Sequence, residues 1–247
     1  FRHEAAVVHE PSGHVYMTED REPRAGFYRF VPARRERLAG RGVLEMLKLA
    51  RPRELRGALP LGTELAVEWV RVEHPDRAHT PGTTDGLGVF TQGHDRGGAV
   101  FARGEGCHAT RDAIYFTATN GGAGACGQLF AYYPFRQTLA LLFESPDPET
   151  LDYPDNVCFS PRGGLVICED GVREGKLLQG LSATGGLFPF ARNDVVLHGA
   201  PFGHAGDFRR AEWAGACFSR DGRWLFANVY SPGFSVAITG PWRSGLI

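Results

Sequence analysis

Acidic and amide side chains open four short apolar segments of the chain. The leading residues are Glu4, Glu105, the pair Asp155 and Asn156, and Glu212. Each is followed by alternating apolar residues, a turn rich in Gly, Pro or Asp, and a second apolar run, which is the pattern of a β-hairpin. Carboxylate and amide oxygens are the ligands that Ca²⁺ and Mg²⁺ prefer, and ferric iron also takes carboxylates. These residue types therefore indicate a metal site.

The repetition of the hairpin predicts how these side chains meet. Repeated hairpins are typical of a β-propeller, in which the innermost strand of every blade begins near one axial channel. A single acid beside a turn is more often a solvated or turn-forming residue, but repetition at the same place in successive hairpins favours a shared site. We therefore predict metal ligands among Glu4, Glu105, Asp155, Asn156, Glu169, Asp170 and Glu212.

An arginine accompanies one of these acids. Arg103 precedes Glu105 by two residues, so that in a strand both side chains face the same side. The guanidinium group matches phosphate oxygens bidentately, and beside a metal-binding carboxylate it would form a phosphate clamp. An ion pair with a neighbouring acid is an equally good interpretation. Arg2 and Glu4 have the same spacing, which favours the functional interpretation.

The alternation along the chain predicts an all-β protein with four traceable blades. The blades cover residues 4–50, 106–143, 157–197 and 214–229, with the third blade using strands at 157–160, 164–169, 186–191 and 195–197. Residues 51–63 read as a loop, and the irregular segment 73–98 includes a short helix near 84–92. No compositional break divides the chain. We therefore predict a single β-propeller domain over residues 1–247, an incomplete ring that lacks N-terminal blades.

Composition restricts the partners of the protein. The 247 residues are 43% hydrophobic and 11% aromatic, which is enough for a core, and the 33 Gly and 16 Pro suit many tight turns. A formal net charge of −1 gives no support to a nucleic-acid surface. The sequence contains no apolar run long enough for a membrane-spanning helix. We therefore expect neither nucleic acid nor a membrane span.

Several familiar signatures are missing from the sequence. It contains no GxSxG elbow, P-loop or HExxH motif, and no GxGxxG between a strand and a helix, so a serine hydrolase or nucleotide-dependent transferase is not supported. The five cysteines have no metal-type spacing. Cys158 and Cys168 flank a turn, and whether they pair stays open, although strand cysteines are usually buried as small hydrophobic residues.

The ordered motifs resemble those of the PhoX-type alkaline phosphatases. The resemblance rests on HEAA with VYMTEDR, FARGEG with IYFTATNGG, PDNVCFSPRGGLVICEDG, and EWAGACFSRDGRWLFANVYSPG, and it spans roughly residues 3–233. It implies a six-bladed propeller, monomeric when full length and exported to the periplasm or the cell exterior. The activity it implies is hydrolysis of small phosphate monoesters at a multi-metal site of calcium and ferric iron in the propeller channel.

The resemblance also assigns roles to individual residues. It makes Glu4 and Glu105 metal ligands and Arg103 the phosphate-contacting arginine. Asp155, Asn156, Glu169, Asp170 and Glu212 fall in motifs near the calcium sites. The chain departs from the family pattern in one respect: the family's iron-binding cysteine belongs to an N-terminal part that this sequence does not contain, and none of its five cysteines lies in a matching motif. The iron centre that the resemblance implies therefore lacks its cysteine ligand in this sequence.

Two other functions compete with this interpretation. The segment PDNVCFSPRGGLVICEDG also resembles the strand-turn-strand of calcium-dependent propeller lactonases, which hold one Ca²⁺ by Glu, Asn and Asp. The Arg-x-Glu-Gly motif and the His-Glu opening favour the phosphatase. A non-catalytic propeller that binds a protein partner is the other alternative, because an incomplete ring exposes strand edges.

Overall fold

A computed structural model describes residues 1–77, 88–199, 203–242 and 247 of the chain. These residues form antiparallel β-strands and one short helix, so the prediction of an all-β protein is confirmed. The chain divides into two compact units, Phe1–Glu144 and Ser145–Ile247, and each is described by itself. The single domain over residues 1–247 stays a prediction. No helix in the described part of the chain is long and apolar enough to span a membrane.

The first unit is built on one nine-stranded sheet. Its strands are β1 (His3–His9), β2 (His14–Glu19), β3 (Phe27–Pro32), β4 (Gly42–Leu49), β5 (Leu65–Val72), β6 (Gly104–Ala109), β7 (Ile114–Ala118), β8 (Gln128–Tyr133) and β9 (Thr138–Glu144). The spatial order is β1-β2-β3-β4-β5-β9-β8-β7-β6, so two antiparallel meanders meet where β5 pairs with β9. Helix α1 (Val89–Asp95) lies between β5 and β6 in the chain.

Aromatic side chains from both meanders fill the core of the first unit. Phe27 of β3 and Phe116 of β7 stack with their ring centroids 4.1 Å apart. Tyr16, Phe101 and Phe130 pack around them, and all five are at most 1% exposed. Burying rings of this size supplies the main favourable free energy of packing, roughly 25 cal/mol per Å² of apolar surface. The packing therefore holds together the strands that begin next to the predicted site residues.

The second unit contains three smaller sheets. Its strands are β10 (Pro154–Phe159), β11 (Leu165–Glu169), β12 (Leu177–Leu181), β13 (Leu187–Arg192), β14 (Val196–His198), β15 (Ala205–Asp207), β16 (Trp213–Phe218), β17 (Leu225–Val229) and β18 (Phe234–Ile238). Strands β10 to β13 form a four-stranded meander, β14 and β15 a hairpin, and β16 to β18 a three-stranded meander. Buried Cys168, Leu178 and Leu225 belong to the core that the first and third sheets share.

The third predicted blade was wrong in its outer strands. The third strand is Leu177–Leu181, which the sequence pattern missed, and Leu187–Arg192 is the fourth. Val196–His198, predicted as the fourth strand, pairs instead with Ala205–Asp207. Gln179 and Gly180 interrupt the apolar run of the missed strand, yet Gln179 is buried because its amide hydrogen-bonds to Glu169. Phe234–Ile238 is likewise a strand where only a tail was expected.

Two smaller predictions have different outcomes. Helix α1 spans Val89–Asp95, three residues beyond the end of the predicted 84–92 segment, and residues 78–87 lie outside the described part. Cys158 and Cys168 lie on neighbouring strands, but their register partners are Val166 and Leu178, and both thiols are free. The open question of their pairing is thus answered by register, because the two cysteines do not stand opposite each other.

Candidate functional site

Each of the four leading strands is irregular at its start. The register shifts between His3 and Ala6 in β1, Gly104 and Cys107 in β6, Pro154 and Val157 in β10, and Ala214 and Cys217 in β16. A β-bulge at such a point increases the twist and redirects a side chain. Glu4, Glu105, Asp155 and Asn156 lie within these irregular segments, whereas Glu212 precedes its segment. The four hairpins therefore share a local irregularity that redirects polar side chains at the start of the leading strand.

One backbone hydrogen bond recurs at the opening of all four hairpins. It runs from Asp20 N to Arg2 O at 2.9 Å, from Thr119 N to Arg103 O at 2.9 Å, from Asp170 N to Tyr153 O at 2.9 Å, and from Tyr230 N to Glu212 O at 3.1 Å. This bond aligns the hairpins residue by residue. Asp20 and Asp170 occupy one equivalent position, and Arg103 and Glu212 occupy another. Glu212 therefore stands where the first unit has an arginine, two residues before the position of Glu105.

The first unit gathers three acids into one cluster. Carboxylate oxygens of Glu4, Asp20 and Glu105 lie within 4.8 Å of one another. Glu105 is buried, Asp20 is partly buried and Glu4 is exposed. Sequence reasoning missed Asp20, although the run Thr18-Glu19-Asp20 matches Cys168-Glu169-Asp170, whose aspartate it did select. We call this set the first acidic cluster.

Arg103 is paired with two members of the first acidic cluster. Its Nε lies 2.9 Å from Asp20 Oδ1, and its Nη2 lies 2.5 Å from Glu105 Oε1. Although burial lowers the pKa of the Arg103 guanidinium, the hydrogen bond to Asp20 and the charge of Glu105 outweigh this and raise it, so the group stays charged. The ion-pair interpretation of Arg103 is thus realised in the structure, and its contact with phosphate stays a prediction.

The second unit gathers its own three acids. Carboxylate oxygens of Asp155, Asp170 and Glu212 lie within 4.8 Å of one another, and we call this set the second acidic cluster. Lys176 Nζ lies 3.0 Å from Asp170 Oδ1. Burial, the hydrogen bond with Asp170 and the charges of Asp170 and Asp155 raise the pKa of Glu212 to about 8. Burial is the largest of these causes, and the repulsion among three carboxylates at this separation adds to it.

Asn156 lies beside the second acidic cluster and connects two strands. Its Nδ2 donates to Asp155 Oδ1 at 2.7 Å, and its Oδ1 accepts from the Gly215 backbone N–H at 2.5 Å. Gly215 lies in the irregular opening of β16 and has a φ of 58°. The Asn156 amide thus orients Asp155 and joins β10 to β16, and its oxygen already has a partner.

The Glu169 side chain forms hydrogen bonds within the sheet and is not a member of the second acidic cluster. Its Oε2 accepts from the Leu177 backbone N–H at 2.9 Å, and its Oε1 accepts from Gln179 Nε2 at 3.0 Å. Glu19 has the same environment in the first unit, where its Oε2 accepts from the Gly26 N–H and the Tyr28 hydroxyl, both at 2.8 Å. Burial raises the pKa of both carboxyls. In each Glu-Asp pair the glutamate therefore holds the following strand, and the aspartate joins the cluster.

The fold and clusters define a propeller-like all-β protein that concentrates carboxylates at its strand openings. The family model described as alkaline phosphatase PhoX matches residues 1–233, and the chain therefore belongs to that family. The resemblance that the sequence motifs carry is thus confirmed. We found no match among curated proteins.

Comparison with solved structures supports the same fold. Pseudomonas fluorescens PhoX in complex with vanadate, a transition-state analogue, superimposes with a TM-score of 0.65 at 17% identity. The match covers 96% of this chain and 52% of that protein, so the chain spans about half its length. At this identity the likeness concerns the fold alone, and it confirms the predicted propeller-like fold. A putative gluconolactonase gives a TM-score of only 0.38 at 13% identity, and the match covers 98% of this chain and 79% of that one.

Proposed function

We propose that the chain carries a cation-dependent site for phosphate monoesters, as a phosphatase of the PhoX family. The observation that supports this most is the position of Arg103 inside a group of three carboxylates, Glu4, Asp20 and Glu105. A cation at those carboxylates beside a fixed guanidinium is an arrangement suited to phosphate oxygens. The substrate we expect is a small phosphate ester, hydrolysed outside the cytoplasm by a protein that is monomeric when full length.

The donor atoms of both clusters fit a hard cation. All six cluster members offer carboxylate oxygens, which suit Ca²⁺, and ferric iron is the second candidate because it also takes carboxylates. Burial and the crowded carboxylates raise the pKa of Glu212, and a cation would relieve the repulsion among them. Glu4, Asp20 and Glu105 would hold one cation and Asp155, Asp170 and Glu212 another. The bound cation supplies polarisation of the phosphoryl oxygens.

The remaining chemistry belongs to side chains of the chain itself. Arg103 offers its guanidinium to the phosphoryl group and neutralises charge there. Asn156 orients Asp155 through its amide, and Glu169 fixes the loop that follows Asp170 by accepting from Leu177 N. These contacts hold the ligands before a cation arrives, which lowers the entropic cost of binding.

The direct test combines metal content with hydrolysis. The purified protein should contain calcium by elemental analysis and hydrolyse a chromogenic phosphate monoester in a chelator-sensitive manner. Arg103→Met should abolish most of that turnover while the fold is retained. Arg209→Met is the matched control, because Arg209 also bridges two acids, Glu174 at 2.9 Å and Asp207 at 2.5 Å, outside both clusters.

Two results would contradict the proposed function. Turnover that survives both the chelator and Arg103→Met would show that neither the cation nor the guanidinium is needed. Hydrolysis of a lactone, with none of a phosphate monoester, would support the lactonase alternative instead.

A further inference from the structure

A buried hydroxyl lies between the strands that carry the first acidic cluster. Thr18, in β2, is 1% exposed. Its Oγ1 accepts a hydrogen bond from the Ala5 backbone N–H at 3.0 Å and donates one to the Glu105 carbonyl oxygen at 2.5 Å. One side chain thus bonds to both β1 and β6, which are the two end strands in the order of the sheet.

Both bonds of Thr18 end inside the irregular strand openings. Ala5 follows Glu4 within the register shift of β1, and Glu105 lies within that of β6. Thr18 also precedes Asp20 by two residues on β2. A bulged backbone lacks regular ladder bonds, so a side-chain bond at that point fixes its conformation. The hydroxyl therefore touches the backbone beside two cluster acids and belongs to the strand that leads to the third.

β6 packs closely against β2 at Gly104. A Cβ atom at Gly104 would lie 3.2 Å from Thr18 Cβ and from the backbone N and O of Glu19. The absence of a side chain at position 104 therefore favours this close approach, because a Cβ there would require backbone atoms of β2 to shift. This approach is what brings the Glu105 carbonyl within reach of the Thr18 hydroxyl.

The equivalent position in the second unit has a similar contact. By the shared backbone register, Cys168 stands before Glu169 and Asp170 as Thr18 stands before Glu19 and Asp20. The Cys168 thiol is buried and interacts with the Ala216 backbone in the irregular opening of β16. A thiol is a weaker hydrogen-bonding group than a hydroxyl. The position thus contacts the opening of a neighbouring hairpin in both units, and in the first unit the hydroxyl also bonds to its own hairpin at Ala5.

We propose that Thr18 is the positioning residue of the first acidic cluster, fixing the separation of Glu4 and Glu105 and thereby its cation affinity. This inference rests on the proposed function, because it assumes that the cluster binds a cation. Loss of the hydroxyl should leave the carboxylates present and poorly arranged. Removing such supporting hydrogen bonds typically costs about 10- to 100-fold in metal affinity.

The test measures calcium binding by isothermal titration calorimetry on chelator-stripped protein. Glu105→Gln identifies the binding event that belongs to the first acidic cluster. Thr18→Val, which keeps the shape and removes the hydroxyl, should weaken that event about 10- to 100-fold. Thr18→Ser should restore affinity close to that of the wild type. Thr18→Cys introduces the residue that the second unit has at this position, and its calcium affinity should be intermediate. This variant replaces Thr18→Val in the test if Thr18→Val does not fold.

Thr110→Val is the matched control for a lost hydroxyl. Thr110 follows β6 at the end opposite Glu105, and its Oγ1 also donates one backbone bond and accepts another, both to Ala113 at 3.1 Å. The calcium affinity of the Thr110→Val protein should equal that of the wild type. If Thr18→Val and Thr110→Val bind calcium equally well, the positioning role is wrong and the proposed function stands. If the wild type shows no binding event that Glu105→Gln removes, both fail.

Discussion

At the scale of single residues, the two clusters have opposite charges at one equivalent position. Arg103 and Glu212 occupy the same register position, so the first unit has a guanidinium where the second has a third carboxylate. In the first cluster Arg103 pairs with both Asp20 and Glu105. In the second, Lys176 pairs with Asp170, and burial and the neighbouring acids raise the pKa of Glu212. A cation must therefore compete with a basic side chain in each cluster, and in the first cluster that side chain pairs with two of the three acids.

That competition leads to a prediction for Arg103→Met. Removing the guanidinium should tighten calcium binding at the first cluster about fivefold, which corresponds to roughly 1 kcal/mol for a partly exposed ion pair. Binding of inorganic phosphate to the calcium-loaded protein should weaken at the same time. Titration calorimetry with each ligand measures both effects, and Arg209→Met should change neither. Calcium affinity that falls in Arg103→Met would mean that the arginine supports the cation site.

Glu169 and Asp170 are adjacent in sequence and should behave oppositely when substituted. Glu169→Ala removes the acceptor of the part-buried Leu177 N–H and of the buried Gln179 amide, so we expect about 1–3 kcal/mol of lost stability. Asp170→Asn should instead weaken calcium binding at the second cluster and change stability little. Urea unfolding in chelator and calcium titration separate the two effects. Equal loss of calcium binding in both variants would return Glu169 to the ligand set.

At the scale of elements, the close approach of β6 to β2 depends on Gly104. Gly104→Ala places a Cβ 3.2 Å from backbone atoms of Glu19, so the strand must shift. We expect about 1–3 kcal/mol of destabilisation together with weaker calcium binding at the first cluster. Gly57→Ala is the control, because its Cβ would meet nothing within 4 Å. Gly104→Ala with unchanged stability and affinity would show that the strand openings are more adaptable than this packing implies.

The sequence predicted the hairpins well because their turns and alternation are local. The Pro-Ser-Gly and Pro-Arg-Gly-Gly turns and the flanking apolar runs set β1, β2, β10 and β11 directly. Leu177–Leu181 escaped because a glutamine and a glycine break its pattern, and only the long-range bond to Glu169 explains the buried amide. Local periodicity carries no information on such a partner.

The candidate site was predicted in part for a related reason. Adjacent residues of a strand point to opposite faces, so only one residue of Glu19-Asp20 or of Glu169-Asp170 can join a cluster. Spacing alone does not say which, and the register supplied by the neighbouring strand decides. Glu212 lies two residues earlier in its hairpin than Glu105 does in its own. This difference also depends on the register, so the sequence alone does not reveal it. Glu4, Glu105, Asp155, Asp170 and Glu212, by contrast, were selected by residue type and repetition.

At the scale of the whole molecule, two partly buried histidines should weaken the fold in acid. Burial lowers the pKa of His108, and burial together with Arg29 lowers the pKa of His14. Below the ordinary histidine pKa of about 6.5 these two groups bind more protons in the unfolded chain than in the folded one, so their contribution to the free energy of unfolding falls as pH drops. The raised pKa of Glu212 acts in the opposite direction, so the contribution of His108 is measured as a difference between variants. Between about pH 7.5 and pH 5.5, in urea unfolding in chelator, the free energy of unfolding of His108→Asn should change less unfavourably than that of the wild type. An identical change in the variant would show that His108 does not contribute to the acid sensitivity.

The central claim is that the carboxylates and Arg103 of the first cluster together form a cation-dependent phosphate site. The measurement that tests it most directly is the affinity for inorganic phosphate, with calcium and with chelator, in the wild type, Glu105→Gln and Arg103→Met. We predict phosphate binding that requires calcium in the wild type and that is strongly weakened in both variants. Phosphate binding of equal strength in chelator, or unaffected by both substitutions, would contradict the account.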